Sequence, residues 1–146
     1  MESTLHGTNF AGANASSAPT HSKATAVGYW IMTALFCLEM SFTAYYELLP
    51  QGAQAFTRLG FSSSLFRVEL SLAKLVGVAV LLLPMVPARL KEWAYAGFAI
   101  NLVSAVIAHS SISDRPLAFV PSTLTSVLWA LSYFFWRRMQ AAPASH

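Results

Sequence analysis

Apolar residues fall along this chain in four long runs separated by short polar breaks. Residues 25–48 include YWIMTALFCLEMSFTAYY, and residues 64–83 contain LSLAKLVGVAVLLL before Pro84 and Pro87 stop the run. Residues 90–110 carry WAYAGFAINLVSAVIA, and residues 117–136 carry STLTSVLWALSYFFW. Each is close to the ~20 residues with which an α-helix crosses a hydrocarbon core. Transmembrane strands are not expected, because no alternating ~10-residue pattern is present and open sheet edges are excluded from lipid. The pattern predicts an all-α integral membrane four-helix bundle.

The breaks between the runs differ in kind. Residues 50–63 form the longest, with Gly52 and Gly60, and QAFTRL within it suits a short interfacial helix. The turn MVPAR is tight, so the second and third helices are expected to be antiparallel neighbours. SISDRP joins the third to the fourth, where Ser113 or Asp114 can cap and Pro116 suits a first helical turn. Residues 1–24 are rich in Ala, Ser, Thr, Gly and Asn without an apolar core, and read as a disordered tail rather than a signal peptide. Residues 139–146 read the same way, which leaves residues 25–138 as the membrane domain.

Composition narrows the class. The chain is 55% hydrophobic and 10% charged, whereas soluble domains average about 25% charged residues. Nine Lys and Arg against six acids give a net charge of +3 without a dense basic stripe, so nucleic acid is not an expected partner. Membrane lipid is. Cationic residues sort by face: Lys23, Arg89, Lys91, Arg137 and Arg138 on one, Arg58, Arg67 and Arg115 on the other. The positive-inside rule then places both termini in the cytoplasm. Trp30, Trp93, Trp129 and Trp136 are expected mostly at membrane interfaces, with the Trp136-Arg137-Arg138 end as a cytoplasmic anchor. Cys37 is the single cysteine, so no intramolecular disulfide or Cys-x-x-Cys redox pair can form.

Candidate chemistry lies in the polar residues inside the runs: Glu39, Glu69, Lys74, Asn101 and His109. A charge at membrane depth costs about 2.5 kcal/mol or more on insertion scales, so an intramembrane ionisable group is a functional candidate by default. With both termini inside, these residues concentrate toward the non-cytoplasmic half, where Glu47 stands at the mouth of the first helix. The cytoplasmic half is expected to be nearly all apolar. Glu39 shares a helical face with Leu35, Phe42, Thr43 and Tyr46, and Lys74 is its candidate counter-ion. Glu69 lies five residues from Lys74, about 140° around the helix, and could meet His109 or Arg67. Asn101, Ala105 and His109 form a stripe on the third helix beside Gly97, Ser104 and Ala108. No HxxxH, HxH, ExxH or phosphate-loop pattern occurs, so neither a metal site nor a cofactor is expected.

From Leu59 onward the chain resembles the DoxX-like family of small four-helix bacterial membrane proteins. Leu59-Gly60-Phe61, Lys74-Leu75 with Gly77, and Leu82 to Pro84 carry the resemblance. So do Leu90-Lys91-Glu92-Trp93-Ala94-Tyr95-Ala96-Gly97-Phe98, Ala105 and His109. It covers roughly residues 26–138 and implies a four-helix bundle in the bacterial inner (cytoplasmic) membrane. Relatives are associated with thiosulfate–quinone oxidoreduction and with oxidative-stress complexes. Lys74 and His109 match the family pattern, Ser71 stands where that pattern has glycine, and Glu39 and Glu69 are additions to it.

Together these features predict a membrane enzyme that works on a lipophilic small molecule by acid–base chemistry: cyclisation, isomerisation or epoxide opening of an isoprenoid-like substrate. Glu39 is the expected proton donor, and His109 or Glu69 the base. Lys74 and Asn101 would orient the substrate, while Phe42, Tyr46, Trp129 and Tyr133 would cup it. The alternative is a non-catalytic subunit or quinone-associated component of an oxidoreductase complex. A homo-oligomer is compatible with either.

Overall fold

The computed structural model describes residues 23–111 and 119–141. They form five α-helices, with no strand among the described residues: α1 (Lys23–Leu48), α2 (Pro50–Arg58), α3 (Ser64–Leu82), α4 (Ala88–Ser111) and α5 (Phe119–Ala141). α1 starts within the stretch expected to be a tail, and α5 continues to Ala141. The remaining tail residues and the caps expected at Ser113, Asp114 and Pro116 lie outside the described residues.

Local chemistry sets the helix ends. Pro50 pushes the preceding residue out of helical geometry, so Leu49 is extended (ψ 159°) and Pro50 opens α2. At the other end of α2, Gly60 takes a positive φ of 91°, which only glycine adopts cheaply. The Gly60 N–H donates to the Thr57 carbonyl at 3.0 Å and the Phe61 N–H to the Phe56 carbonyl at 2.8 Å. These bonds close a Schellman turn, and the Phe56 and Phe61 rings meet across it at 6.2 Å. Ser63 then caps α3 by accepting from the Phe66 N–H at 3.3 Å. Pro84 ends α3 by the same effect on Leu83 that Pro50 exerts on Leu49.

The long helices pack in a ring, α1 against α3 and α5, and α4 against the same two. α1 and α4 therefore lie across a diagonal. At the end where α1 begins, the diagonal is filled: Phe36 of α1 meets Phe98 of α4 edge to face at 5.0 Å. Tyr29, Leu81, Tyr95 and Trp136 complete that core. At the opposite end it is hollow, and α2 folds back against α1 and α3 to roof the space.

The outer surface is apolar. Leu38, Val76 and Ile100, on three different helices, are 69%, 63% and 69% exposed. Water-soluble monomers rarely expose wide apolar surface, whereas lipid solvates it without penalty. α1 and α4 are each long and apolar enough to cross a membrane. α3 is of similar reach but carries Arg67, Glu69 and Lys74.

The filled end departs from the nearly apolar interior expected there. A buried hydroxyl chain runs through it: Thr33 Oγ1 and Ser132 Oγ are 2.7 Å apart, as are Tyr95 OH and Ser132 Oγ. Lys91, expected as a flanking cation, is buried, and its ammonium donates to the Leu81 carbonyl at 3.2 Å. The Tyr29 hydroxyl donates to the same carbonyl at 3.5 Å. Trp136, expected as an interfacial anchor, is also buried, its ring 5.5 Å from that of Tyr95. Their burial depends on which way they face around each helix, which hydropathy does not give.

Candidate functional site

The hollow end encloses a cavity of about 730 Å³, within the range that holds small lipophilic molecules. On α1 the wall is Glu39, Met40, Thr43, Tyr46 and Glu47, a stripe at helical spacing. The angles split the face expected around Glu39. Thr43 and Tyr46 follow it into the cavity, whereas Leu35 and Phe42 are 46% and 66% exposed on the outer surface. On α4 the expected stripe of Gly97, Asn101, Ser104, Ala105, Ala108 and His109 lines the cavity as a unit. α5 adds Ser122 and Thr125, α3 adds Phe66, Leu70 and Lys74, and α2 supplies the roof.

The expected partnership of Glu39 with Lys74 is not the one that forms. The Lys74 ammonium instead pairs with the Glu47 carboxylate, and both side chains are almost wholly withdrawn from solvent. The Ser71 hydroxyl reaches the other Glu47 carboxylate oxygen at 3.0 Å and its own helix at the Arg67 carbonyl, also at 3.0 Å. The Arg67 guanidinium donates to the Glu47 backbone carbonyl. Glu47 thus ties the last turn of α1 to α3 through three residues, and it is buried rather than at an open mouth. Ser71 supplies one of those ties.

This closed network leaves Glu39 as the unengaged carboxylate of the wall. Among the described residues no hydrogen bond or ion pair reaches it, and the same is true of the Asn101 amide. His109 lies on the same wall and has an interaction partner. Glu69, expected to meet His109 or Arg67, is exposed and off the cavity wall. It makes no ion pair among the described residues; Arg67 is held by Glu47 instead.

Trp129 and Tyr133 are absent from the cavity wall. Their rings stack on one another at 5.7 Å, and the Trp129 indole N–H donates to the Tyr95 carbonyl at 3.0 Å. They pack against the filled core. Sequence reasoning missed Ala55 and Phe56 of α2, Leu59 just after it, and the buried role of Glu47. Gly52 was the available signal. A Cβ there would strike the Tyr46 carbonyl oxygen and lie 2.7 Å from Glu47 Cα, so that glycine marks where α2 closes on α1.

The arrangement is that of a helical membrane protein with a roofed polar-and-apolar cavity in one half of its thickness. The family model for the DoxX-like family matches residues 31–131, and the chain belongs to that family. Comparison with curated proteins and with solved structures gave no significant match.

Proposed function

We propose that this protein is a multi-pass membrane enzyme that binds a lipophilic small molecule in the roofed cavity and works on it by acid–base chemistry. All four long helices would cross the bacterial inner membrane as a four-helix bundle, with both termini in the cytoplasm. The observation that carries the reading is the Glu39 carboxyl group, set on a largely apolar wall without a partner among the described residues, while the nearby Lys74 charge is already answered by Glu47. A structural ion pair would have used that carboxylate; a group kept available for a ligand would not.

Isomerisation or cyclisation of an olefin needs one proton delivered and one removed, with no external reductant. Glu39 is the proposed donor and His109 the acceptor, and the proton returns from one to the other between turnovers. Epoxide opening uses the same pair, with water as the co-reactant. Asn101 and Tyr46 offer hydrogen bonds that orient the polar end of the substrate, and Met40, Phe56, Phe66 and Leu70 enclose its apolar part.

Candidate isoprenoid olefins and epoxides are to be assayed with the protein in lipid nanodiscs. Glu39→Gln and His109→Ala are each expected to lower turnover by roughly a hundredfold or more, the usual scale for a positioned acid or base. Unchanged turnover in both variants ends this mechanism.

A further inference from the structure

A second space, about 300 Å³, lies between α3 and α4. It is not independent of the main cavity: Leu70, Lys74, Gly97 and Asn101 line both. We infer that the gap between α3 and α4 at Gly97 is a lateral opening through which the apolar tail of the bound molecule leaves the cavity, so that the ligand is a long-chain lipid with an uncharged polar end. This rests on the proposed role of the main cavity as the ligand site.

Packing around the two glycines defines the opening. At Gly97 an added Cβ would meet nothing within 4 Å, so the helices leave real space there. At Gly77, also on the wall of the smaller space, a Cβ would come within 2.7 Å of the Phe98 ring. Phe98 is itself buried, and it closes the passage toward the filled core. The outward end is bordered by Val76 and Trp93, 63% and 79% exposed, on the surface that lipid covers. An apolar chain can therefore run from the polar cavity into the bilayer without crossing a packed helix contact.

The wall charges select the polar end. Glu39 and Glu47 stand against one ammonium, Lys74, and one imidazole, His109, and Lys74 is already paired with Glu47. Among the described wall residues no cation is left in excess to neutralise a phosphate or carboxylate. The Glu39 carboxyl and the Asn101 amide can instead hydrogen-bond an alcohol, carbonyl or epoxide oxygen.

The test uses the full-length protein in nanodiscs, with hexanol, hexadecanol and hexadecyl phosphate as probes. Hexanol is expected to bind the wild type, as a ligand small enough for the main cavity alone. A hexadecanol carrying a terminal diazirine is expected to label Val80 or Trp93, and excess unlabelled hexadecanol should remove that labelling. Gly97→Leu, and independently Ala73→Phe from the α3 side, are expected to lower the ratio of hexadecanol to hexanol affinity by roughly tenfold or more, as several buried methylenes are lost. Melting curves confirm that each variant is folded. Labelling on α2 instead, or an unchanged ratio in both folded variants, overturns the opening while leaving the cavity reading intact. Hexadecyl phosphate binding as tightly as hexadecanol overturns the uncharged end. Failure of both alcohols to bind the wild type removes the cavity reading and the opening together.

Discussion

Two ion pairs among the described residues each join a cation to a glutamate and have opposite consequences. Lys74 and Glu47 are buried, with side chains 7% and 11% exposed. Arg137 and Glu92 meet at 3.2 Å on the surface and are 57% and 48% exposed. Breaking a buried pair strands the surviving charge in a low-dielectric site, whereas a surface pair returns its charges to solvent. Glu47→Gln is therefore expected to lower stability by about 3 kcal/mol or more, and Glu92→Gln by less than about 1 kcal/mol. Unfolding in detergent micelles measures both. The double variant Glu47→Gln/Lys74→Met should recover much of the loss, because it removes the stranded ammonium as well. Equal losses for Glu47→Gln and Glu92→Gln would contradict the burial of Glu47.

At the scale of the element, α2 decides the shape of the site. Its length, start and end follow from Pro50, the Schellman turn at Gly60 and the Phe56–Phe61 contact. Its position follows from Gly52, where even a methyl group would overlap the last turn of α1. Gly52→Ala is expected to lift α2 from α1 and to destabilise by about 1–3 kcal/mol, the usual scale of overpacking. Gly60→Ala strains only its own positive φ, since no atom lies within 4 Å of a Cβ there, and should leave the roof seated. A cysteine placed at Ala105 on the cavity wall reports the difference: it should react faster with a maleimide in the Gly52→Ala background than in Gly60→Ala. The helices and their breaks were legible in the sequence because hydropathy, proline and glycine act locally. The short helix expected at QAFTRL within residues 50–63 is present as α2, which starts earlier, at Pro50. What could not be read was azimuth. Glu39 and Phe42 are three residues apart and were expected on one face, yet one lines the cavity and the other faces outward. Lys74 found Glu47 rather than Glu39 because α2 folds back and buries the end of α1, a tertiary event with only Gly52 to announce it. The Asn101–His109 stripe was legible because a run of small residues at helical spacing marks one face unambiguously.

For the whole molecule, the flanking cations bear on which side of the membrane the cavity faces, and the burial of one of them changes their count. Lys91 is buried and bonded to the Leu81 carbonyl, so it no longer belongs among the flanking cations. Lys23, Arg89, Arg137 and Arg138 remain exposed at the filled end. At the roofed end Arg58 is exposed, while Arg67 is half-buried and bonded to the Glu47 carbonyl; Arg115, counted on this side in the sequence, lies outside the described residues, so the count is four against three. The bias toward a cytoplasmic filled end therefore survives the loss of Lys91. On that count the roofed cavity is expected in the outer half of the bilayer, and its ligand would then come from the outer leaflet. Ser62, between α2 and α3, and Met85, between α3 and α4, are both exposed and lie at opposite ends of α3. Cysteines substituted there separately are expected to differ toward a membrane-impermeant maleimide in intact cells. Ser62→Cys should react at once and Met85→Cys only after permeabilisation, with native Cys37 silent because it is buried. The reverse order would put the cavity on the cytoplasmic side and make the inner leaflet its source of ligand.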